Sequence, residues 1–181
     1  MDIKSRKQAL RKQIAMTPLP APYIREASSA ITNALLSSEL YRNAGCIFCY
    51  VSTSGEPSTS EIIARALKDG KILCVPKCIG KGIMKAIVIP SPDCLQPGLY
   101  GIPEPPEGLP EIGPEAIELA IIPCLAATRD GIRLGHGGGY YDRFLARTKA
   151  TKAVLCFSKR ILPAIPEGEQ DVRMDVVFSE D

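Results

Sequence analysis

The chain has 181 residues, 45% of them hydrophobic and 23% charged, and its 22 lysines and arginines nearly balance 20 acidic residues for a net charge of +2. That length fits a single domain over residues 1–181, large enough to bury a core without a disulfide or metal staple. The charge balance excludes a disordered acidic tail and argues against a nucleic-acid partner, and no apolar run is long enough to span a membrane. The opening residues, MDIKSRKQALRKQI, carry basic side chains but neither an apolar core nor a small-residue cleavage site. The expected location is therefore the cytoplasm.

In chain order, residues 2–16 read as a basic helix, broken by Pro18, Pro20 and Pro22, which lack a backbone donor. Ile24, Ala27, Ile31, Ala34 and Leu35 recur at helical spacing and predict a second helix. A strand follows over 46–51. Ser58-Thr59-Ser60-Glu61 has the form of a capping box opening a helix through Leu67. Strands are expected over 71–76 and 83–89, with a turn at Gly80-Lys81-Gly82. Residues 90–114 are proline-rich and predict an extended, turn-filled cover. Further strands are expected over 118–123, 151–157 and 176–178, and a short helix over 140–147. Strands alternating with helices predict an α/β fold: one three-layer α/β/α domain with a largely parallel, Rossmann-like central sheet.

Seven cysteines cannot all pair internally. Cys46 and Cys49 form a CxxC, but three residues along a strand place the two thiols on opposite faces. Cys74, Cys124 and Cys156 lie in apolar runs and read as small core residues, whereas Cys78 and Cys94 fall in loop-like segments. A single histidine argues against a histidine-rich zinc site.

The segment GIRLGHGGGYYDRFL, residues 131–145, is the one that suggests chemistry. Gly135, Gly137, Gly138 and Gly139 leave backbone bare just before a helix, an arrangement that binds anions, usually phosphate. Arg133 adds a fixed positive charge, and Asp142 lies in the first helical turn, placed to hold a magnesium ion beside a phosphate. No Lys-Ser/Thr follows the glycines, so this is not a Walker A loop, and it lacks the βαβ setting of a dinucleotide fingerprint. The same residues also fit a tight strand-to-helix turn with Asp142 complementing the helix dipole.

RLGHGGGYYDR closely resembles the signature of the 5-formyltetrahydrofolate cyclo-ligase (methenyltetrahydrofolate synthetase) family, Arg-x-Gly-x-Gly-x-Gly-Tyr-Tyr-Asp. Other landmarks follow in order: Lys7-Gln-Ala-Leu-Arg11, Tyr50-Val-Ser52 with Glu56, Val75-Pro76-Lys77, Gly101-Ile-Pro-Glu-Pro105 and Asp171-Val-Arg-Met-Asp175. The resemblance implies ATP-dependent closure of 5-formyltetrahydrofolate to 5,10-methenyltetrahydrofolate, through phosphorylation of the formyl oxygen and attack by N10, in a monomer or weak homo-oligomer. It implies ATP as co-substrate and Mg²⁺ as cofactor.

By position, the resemblance assigns ATP contacts to Lys4, Lys7, Arg11, Arg133, Leu134, Gly135, His136, Gly137, Gly138, Gly139, Tyr140 and Tyr141. Val51, Glu56 and residues His136 to Tyr140 would meet the formyl-folate, with Glu56 accepting from the pterin amino and imino groups. Arg133, His136 and Tyr140 would be catalytic, and Asp142 and Asp171 would hold magnesium. Spacing of four puts Lys7 and Arg11 on one helix face. His136 stands where arginine is common in that family and offers a softer, pH-dependent clamp. Of Tyr140 and Tyr141, one is expected at the ligand and one in the core; Asp175 is expected to support the fold.

Three other readings remain open from the residues. A sugar-phosphate isomerase or CoA-processing enzyme on a similar scaffold would need no ATP. A non-catalytic folate- or nucleotide-binding module would bind without releasing ADP. RNA binding through the N-terminus has little support, with 6% aromatics and no tryptophan.

Overall fold

The computed structural model describes residues 2–98 and 101–181; Met1, and Leu99 and Tyr100 of the proline-rich stretch, lie outside the described residues. Helix α1 (Ile3–Ala15) opens on Asp2, whose carboxylate accepts from the Ser5 N–H at 2.7 Å. It is followed by α2 (Ala21–Leu36), α3 (Glu39–Asn43), β1 (Cys46–Cys49), α4 (Ser60–Lys68), β2 (Ile72–Gly80) and β3 (Ile83–Val88). The proline-rich stretch contributes β4 (Gln96–Pro97), β5 (Pro103–Glu104) and β6 (Glu111–Ile112). Then come β7 (Leu119–Ile122), β8 (Ala126–Ala127), β9 (Arg133–Leu134), α5 (Tyr140–Leu145), β10 (Thr151–Leu155) and β11 (Val176–Phe178).

Seven strands form the central sheet in the order β11-β10-β7-β1-β2-β3-β6. The five from β11 to β2 are mutually parallel; at one edge β3 pairs antiparallel with β2, and β6 pairs antiparallel with β3. The expected α/β architecture with a largely parallel sheet is therefore what the chain adopts.

The strand sequences carry no polar alternation because both faces are covered. In β1, Ile47 and Cys49 face a cluster with Ile31 and Leu35 of α2 and Ile62 and Ala66 of α4. Cys46 and Phe48 face the opposite cluster, with Phe144 and Leu145 of α5. The CxxC cysteines thus point to opposite faces, as strand geometry requires. Phe48 stacks on Phe144 at 4.7 Å between ring centroids, and truncating so buried a ring costs about 3–5 kcal/mol.

Four features depart from the expectations. The capping box does not form. The Thr59 hydroxyl, fully buried, donates to the Tyr50 carbonyl at 2.8 Å and accepts from the Ser52 N–H at 3.1 Å, so α4 has no side-chain cap. The second strand runs through Pro76 to Gly80, bringing Cys78 into a strand. Proline is tolerated there because β1 pairs with β2 only as far as Cys74, which leaves the far side of Pro76 without a ladder partner. The short helix α3 is additional. So is the β8–β9 hairpin, which places Arg133 and Leu134 in a strand rather than in the glycine loop.

Candidate active site

Loops from the C-terminal ends of the parallel strands meet the N-terminal helix on one side of the sheet, where ligands bind in open α/β folds. Helix α1 turns Lys7, Leu10, Arg11 and Ile14 inward, a spacing that makes one stripe. Leu10 and Ile14 pack on a small cluster of Ala126, Leu134 and Ile165. Leu134 is therefore a core side chain, and only its backbone is available to a ligand. The docked helix delivers two cations: Lys7 pairs with Asp171, and Arg11 Nε donates to the Gly135 carbonyl at 2.8 Å. Lys4 is exposed, and its charge acts on Asp2 at the start of the helix.

The glycine loop is wrapped by guanidinium groups. A Cβ on Gly135 would lie 2.7 Å from Arg133 Nη1, one on Gly137 would lie 3.1 Å from Arg11 Cζ, and one on Gly139 would lie 2.9 Å from Arg143 Nη1. Gly137 and Gly139 also have φ of 100° and 68°, a left-handed backbone that side chains resist. Arg143 was not singled out from the sequence, though it lies inside the motif. It donates to the Gly138 carbonyl at 2.6 Å and to the Gly82 carbonyl at 2.9 Å, pinning the loop to the β2–β3 turn.

Arg133 is the most constrained of these cations. It is 8% exposed, donating to the Pro123 carbonyl at 3.2 Å and to Asp142 Oδ1 at 3.1 Å. Its guanidinium lies over the Tyr141 ring, yet its Nε is buried with no hydrogen-bond partner among the described residues. A buried donor without a protein acceptor is expensive, and an anionic ligand would satisfy it. Tyr141 also packs edge-on against Phe48, while burial, reinforced by nearby Glu56, holds its phenol well above the ordinary range. Both tyrosines are half-buried and pack against the cluster around Phe48 and Phe144, and Tyr141 also packs on the cluster of the opposite sheet face.

Asp142 Oδ1 also accepts from the Val172 N–H at 3.3 Å, which brings the neighbouring Asp171 beside it. Asp171 Oδ2 takes the Lys7 ammonium and the Gly168 N–H, the latter at 2.6 Å. One oxygen of each carboxylate is thus left without a protein hydrogen bond among the described residues. No group of three or more ligating side chains gathers among the described residues. Two carboxylates do fit Mg²⁺, which uses one or two protein oxygens together with substrate phosphates. Asp175 accepts from Lys152 and supports the fold. Gly131 approaches the Met174 backbone with φ of 91°, leaving no room for a side chain and fixing the closing segment against the loop.

Across the site, the loop after β1 is closed by Tyr50 Oη donating to the Pro57 carbonyl at 2.6 Å and by reciprocal Ser52–Thr59 bonds. This sets Glu56, whose side chain is 10% exposed, with Oε2 accepting from the Thr53 N–H and hydroxyl and Oε1 3.4 Å from His136 Nε2. His136 is 65% exposed. Val51 is half-buried beside Tyr50. Next to Glu56 opens a cavity of about 310 Å³ lined by Leu19, Ile24, Gly55, Pro57, Cys124, Cys156, Phe157 and Arg160, within the size range of small-molecule pockets. None of these lining residues was marked as a ligand contact by the sequence, because four separate segments supply them.

The family model for the 5-formyltetrahydrofolate cyclo-ligase family matches residues 3–180. The chain belongs to that family. It is similar to the probable 5-formyltetrahydrofolate cyclo-ligase of Caenorhabditis elegans, at 33% identity over 84% of this chain and 81% of the relative. It is 30% identical to the 5-formyltetrahydrofolate cyclo-ligase of Mus musculus, covering 99% of this chain and 96% of the relative. The solution structure of Aquifex aeolicus 5,10-methenyltetrahydrofolate synthetase superposes with a TM-score of 0.86 at 31% identity, over 96% of this chain and 89% of that one. The Mycoplasma pneumoniae 5,10-methenyltetrahydrofolate synthetase, at 21% identity and TM-score 0.74 over the whole of both chains, shares the fold. As a cyclo-ligase family member the chain is an enzyme of ligase type, and every landmark that carried the sequence resemblance falls within the matched span.

Proposed function

We propose that residues 1–181 form a single catalytic domain that closes 5-formyltetrahydrofolate to 5,10-methenyltetrahydrofolate, with ATP converted to ADP and phosphate. The observation that carries this reading is the buried Arg133, whose Nε lacks a partner, set between the guanidinium-lined glycine loop and two carboxylates. That arrangement suits a phosphate clamp, and Glu56 lies between two residues that line the neighbouring cavity.

In this reading Lys7, Arg11, Arg133 and the Gly135–Gly139 backbone hold the triphosphate, with Lys4 at its margin and Tyr140 and Tyr141 closing the loop side. Glu56 accepts from the pterin amino and imino groups, Val51 packs on the ring, and His136 spans folate and phosphate. The formyl oxygen attacks the γ-phosphorus and ADP departs. N10 then adds to the activated carbon and loses its proton, and phosphate leaves carrying the former formyl oxygen. The protein's part is positioning and charge stabilisation rather than nucleophilic attack. Asp142 and Asp171 would hold Mg²⁺, which supplies neutralisation of the charge on the phosphoryl oxygens. Seven free thiols suit a reducing compartment, so we assign the protein to the cytoplasm. No helix of the described residues is long and apolar enough to cross a membrane, and the reading requires no nucleic-acid partner and no obligate oligomer.

The test is an absorbance assay. Protein, MgATP and 5-formyltetrahydrofolate are expected to generate the near-ultraviolet band of the methenyl product, and the same mixture without ATP none. A band independent of ATP would overturn the mechanism; ligand binding without a band would point to a binding module.

Asp142→Asn is expected to shift the Mg²⁺ titration of turnover upward by roughly tenfold, the loss of one charge-assisted ligand. Asparagine keeps the Arg133 and Val172 hydrogen bonds available. A titration overlaying the parent's would reduce Asp142 to an anchor for Arg133.

A further inference from the structure

We propose that the open N-terminus of α4, together with Arg25, Ser28 and Thr32 of α2, is a carboxylate site that receives the glutamate end of the folate substrate. The inference rests on the reading of the cavity beside Glu56 as part of the folate site. A second cavity, of about 490 Å³, adjoins that one and shares Ile24, Ser54 and Gly55 of its wall. A ligand that extends past Gly55 therefore enters it. 5-Formyltetrahydrofolate carries its carboxylates on a glutamate at the end away from the pterin, so those are the groups a neighbouring cavity would meet.

The helix supplies the first feature that suits an anion. Thr59 stands at the N-cap of α4, but its hydroxyl is taken by the Tyr50 carbonyl and the Ser52 N–H, so no side chain caps the helix. The N–H of Ile63 reaches the Thr59 carbonyl at 2.9 Å, whereas the N–H groups of Ser60, Glu61 and Ile62 have no acceptor among the described residues. Bare N–H groups at the positive end of a helix dipole attract a carboxylate.

Buried hydroxyls supply the second. Ser28 is 5% exposed and Thr32 is 2% exposed, and both line the cavity. Ser28 Oγ accepts from the Ser58 N–H at 3.0 Å, which leaves its own proton without an acceptor among the described residues. The Thr32 hydroxyl makes no hydrogen bond among the described residues, not even to the carbonyl one turn back that a helical threonine can reach. Hydroxyl protons this deeply set need an acceptor.

The third feature is charge. Arg25, Ser28 and Thr32 are spaced three and four apart on one face of α2. Arg25 is exposed at the cavity and forms no hydrogen bond or ion pair among the described residues. A guanidinium fork matches a carboxylate in shape and charge. Glu61 is the acidic residue of this wall, and its charge acts on Arg65, one turn along α4. Because the reacting nitrogens lie at the other end of the substrate, the site binds without taking part in bond making. Its loss should therefore raise KM for the folate and spare kcat.

The experiment compares 5-formyltetrahydrofolate with its diamide, in which both glutamate carboxylates are carboxamides, by steady-state kinetics and by calorimetric binding. The parent is expected to show KM about tenfold higher for the diamide, the value of a charge-assisted hydrogen bond. Arg25→Ala should raise KM for the acid by about the same factor, with KM for the diamide, KM for ATP and kcat unchanged. Arg25→Lys should recover part of the loss. Thr32→Val keeps the shape and should weaken the acid a few-fold. A parent that binds acid and diamide equally overturns the proposal. So does an Arg25→Ala variant that keeps the parent's preference for the acid, since the residue would then shape α2 rather than read a charge. If the parent prefers the acid but forms no methenyl product, the catalytic reading fails and the carboxylate site stands. If it does not bind the acid, the folate reading fails and the site falls with it.

Discussion

Arg133→Ala is expected to lower kcat/KM for ATP by roughly 100- to 1,000-fold, the usual cost of removing one preorganised donor from developing charge. The side chain is 5% exposed and aimed between Pro123 and Asp142, so its loss touches folding as well. Leaving the Pro123 carbonyl unsatisfied costs about 1–3 kcal/mol, and each kcal/mol lowers Tm by about 2–4 °C in a chain of this length. That is a modest fraction of the stability of an ordinary domain, whereas the kinetic loss is nearly complete. Arg133→Lys keeps the charge and loses the fork, and should fall between alanine and the parent. Steady-state kinetics with ATP varied, run beside calorimetric unfolding, separates the two effects. If the alanine variant is well folded at assay temperature and ATP kinetics are unchanged, Arg133 is a strut between a carbonyl and a carboxylate and nothing more.

Glu56→Gln should raise KM for 5-formyltetrahydrofolate by roughly 10- to 100-fold, the value of charge-assisted hydrogen bonds to paired donors. Glutamine keeps the shape and one oxygen for the Thr53 contacts, so the loop that carries it stays closed through Tyr50–Pro57 and Ser52–Thr59. ATP affinity should move far less, through His136 alone, because Glu56 bonds to Thr53 and His136 and not to the Arg133–Asp142 pair. Titrating each substrate separately, with ATP binding followed by calorimetry, decides the matter. Equal losses for both substrates would mean that residue 56 shapes the loop instead of recognising the pterin.

The elements that were legible in the chain are those decided by local physics. Strands β1, β7 and β10 are unbroken apolar runs because both sheet faces are covered, and alternation alone sends Cys46 and Cys49 to opposite sides. The four-residue spacing of Lys7 and Arg11 put them on one stripe of α1. The capping box failed for the opposite reason. The box offered Ser58 as the cap, but α4 begins at Ser60, so Thr59 stands at the cap position, and its hydroxyl is taken by the carbonyl of Tyr50 and the N–H of Ser52 once the loop folds back. Local pattern could not rank those two uses of one hydroxyl. The Pro76 strand likewise depended on where β1 ends.

Sequence by itself determined the α/β layering, the glycine loop and the family, since each is written in residues close together or in a fixed order. Tertiary structure decided which charges meet. Lys7 reaches Asp171 across 164 residues and His136 reaches Glu56 across 80. Arg143 ties the glycine loop to the β2–β3 turn. Such contacts form when the sheet brings strand ends together, and a linear pattern carries no record of distance in space. The site is therefore assembled by topology from parts the chain keeps far apart.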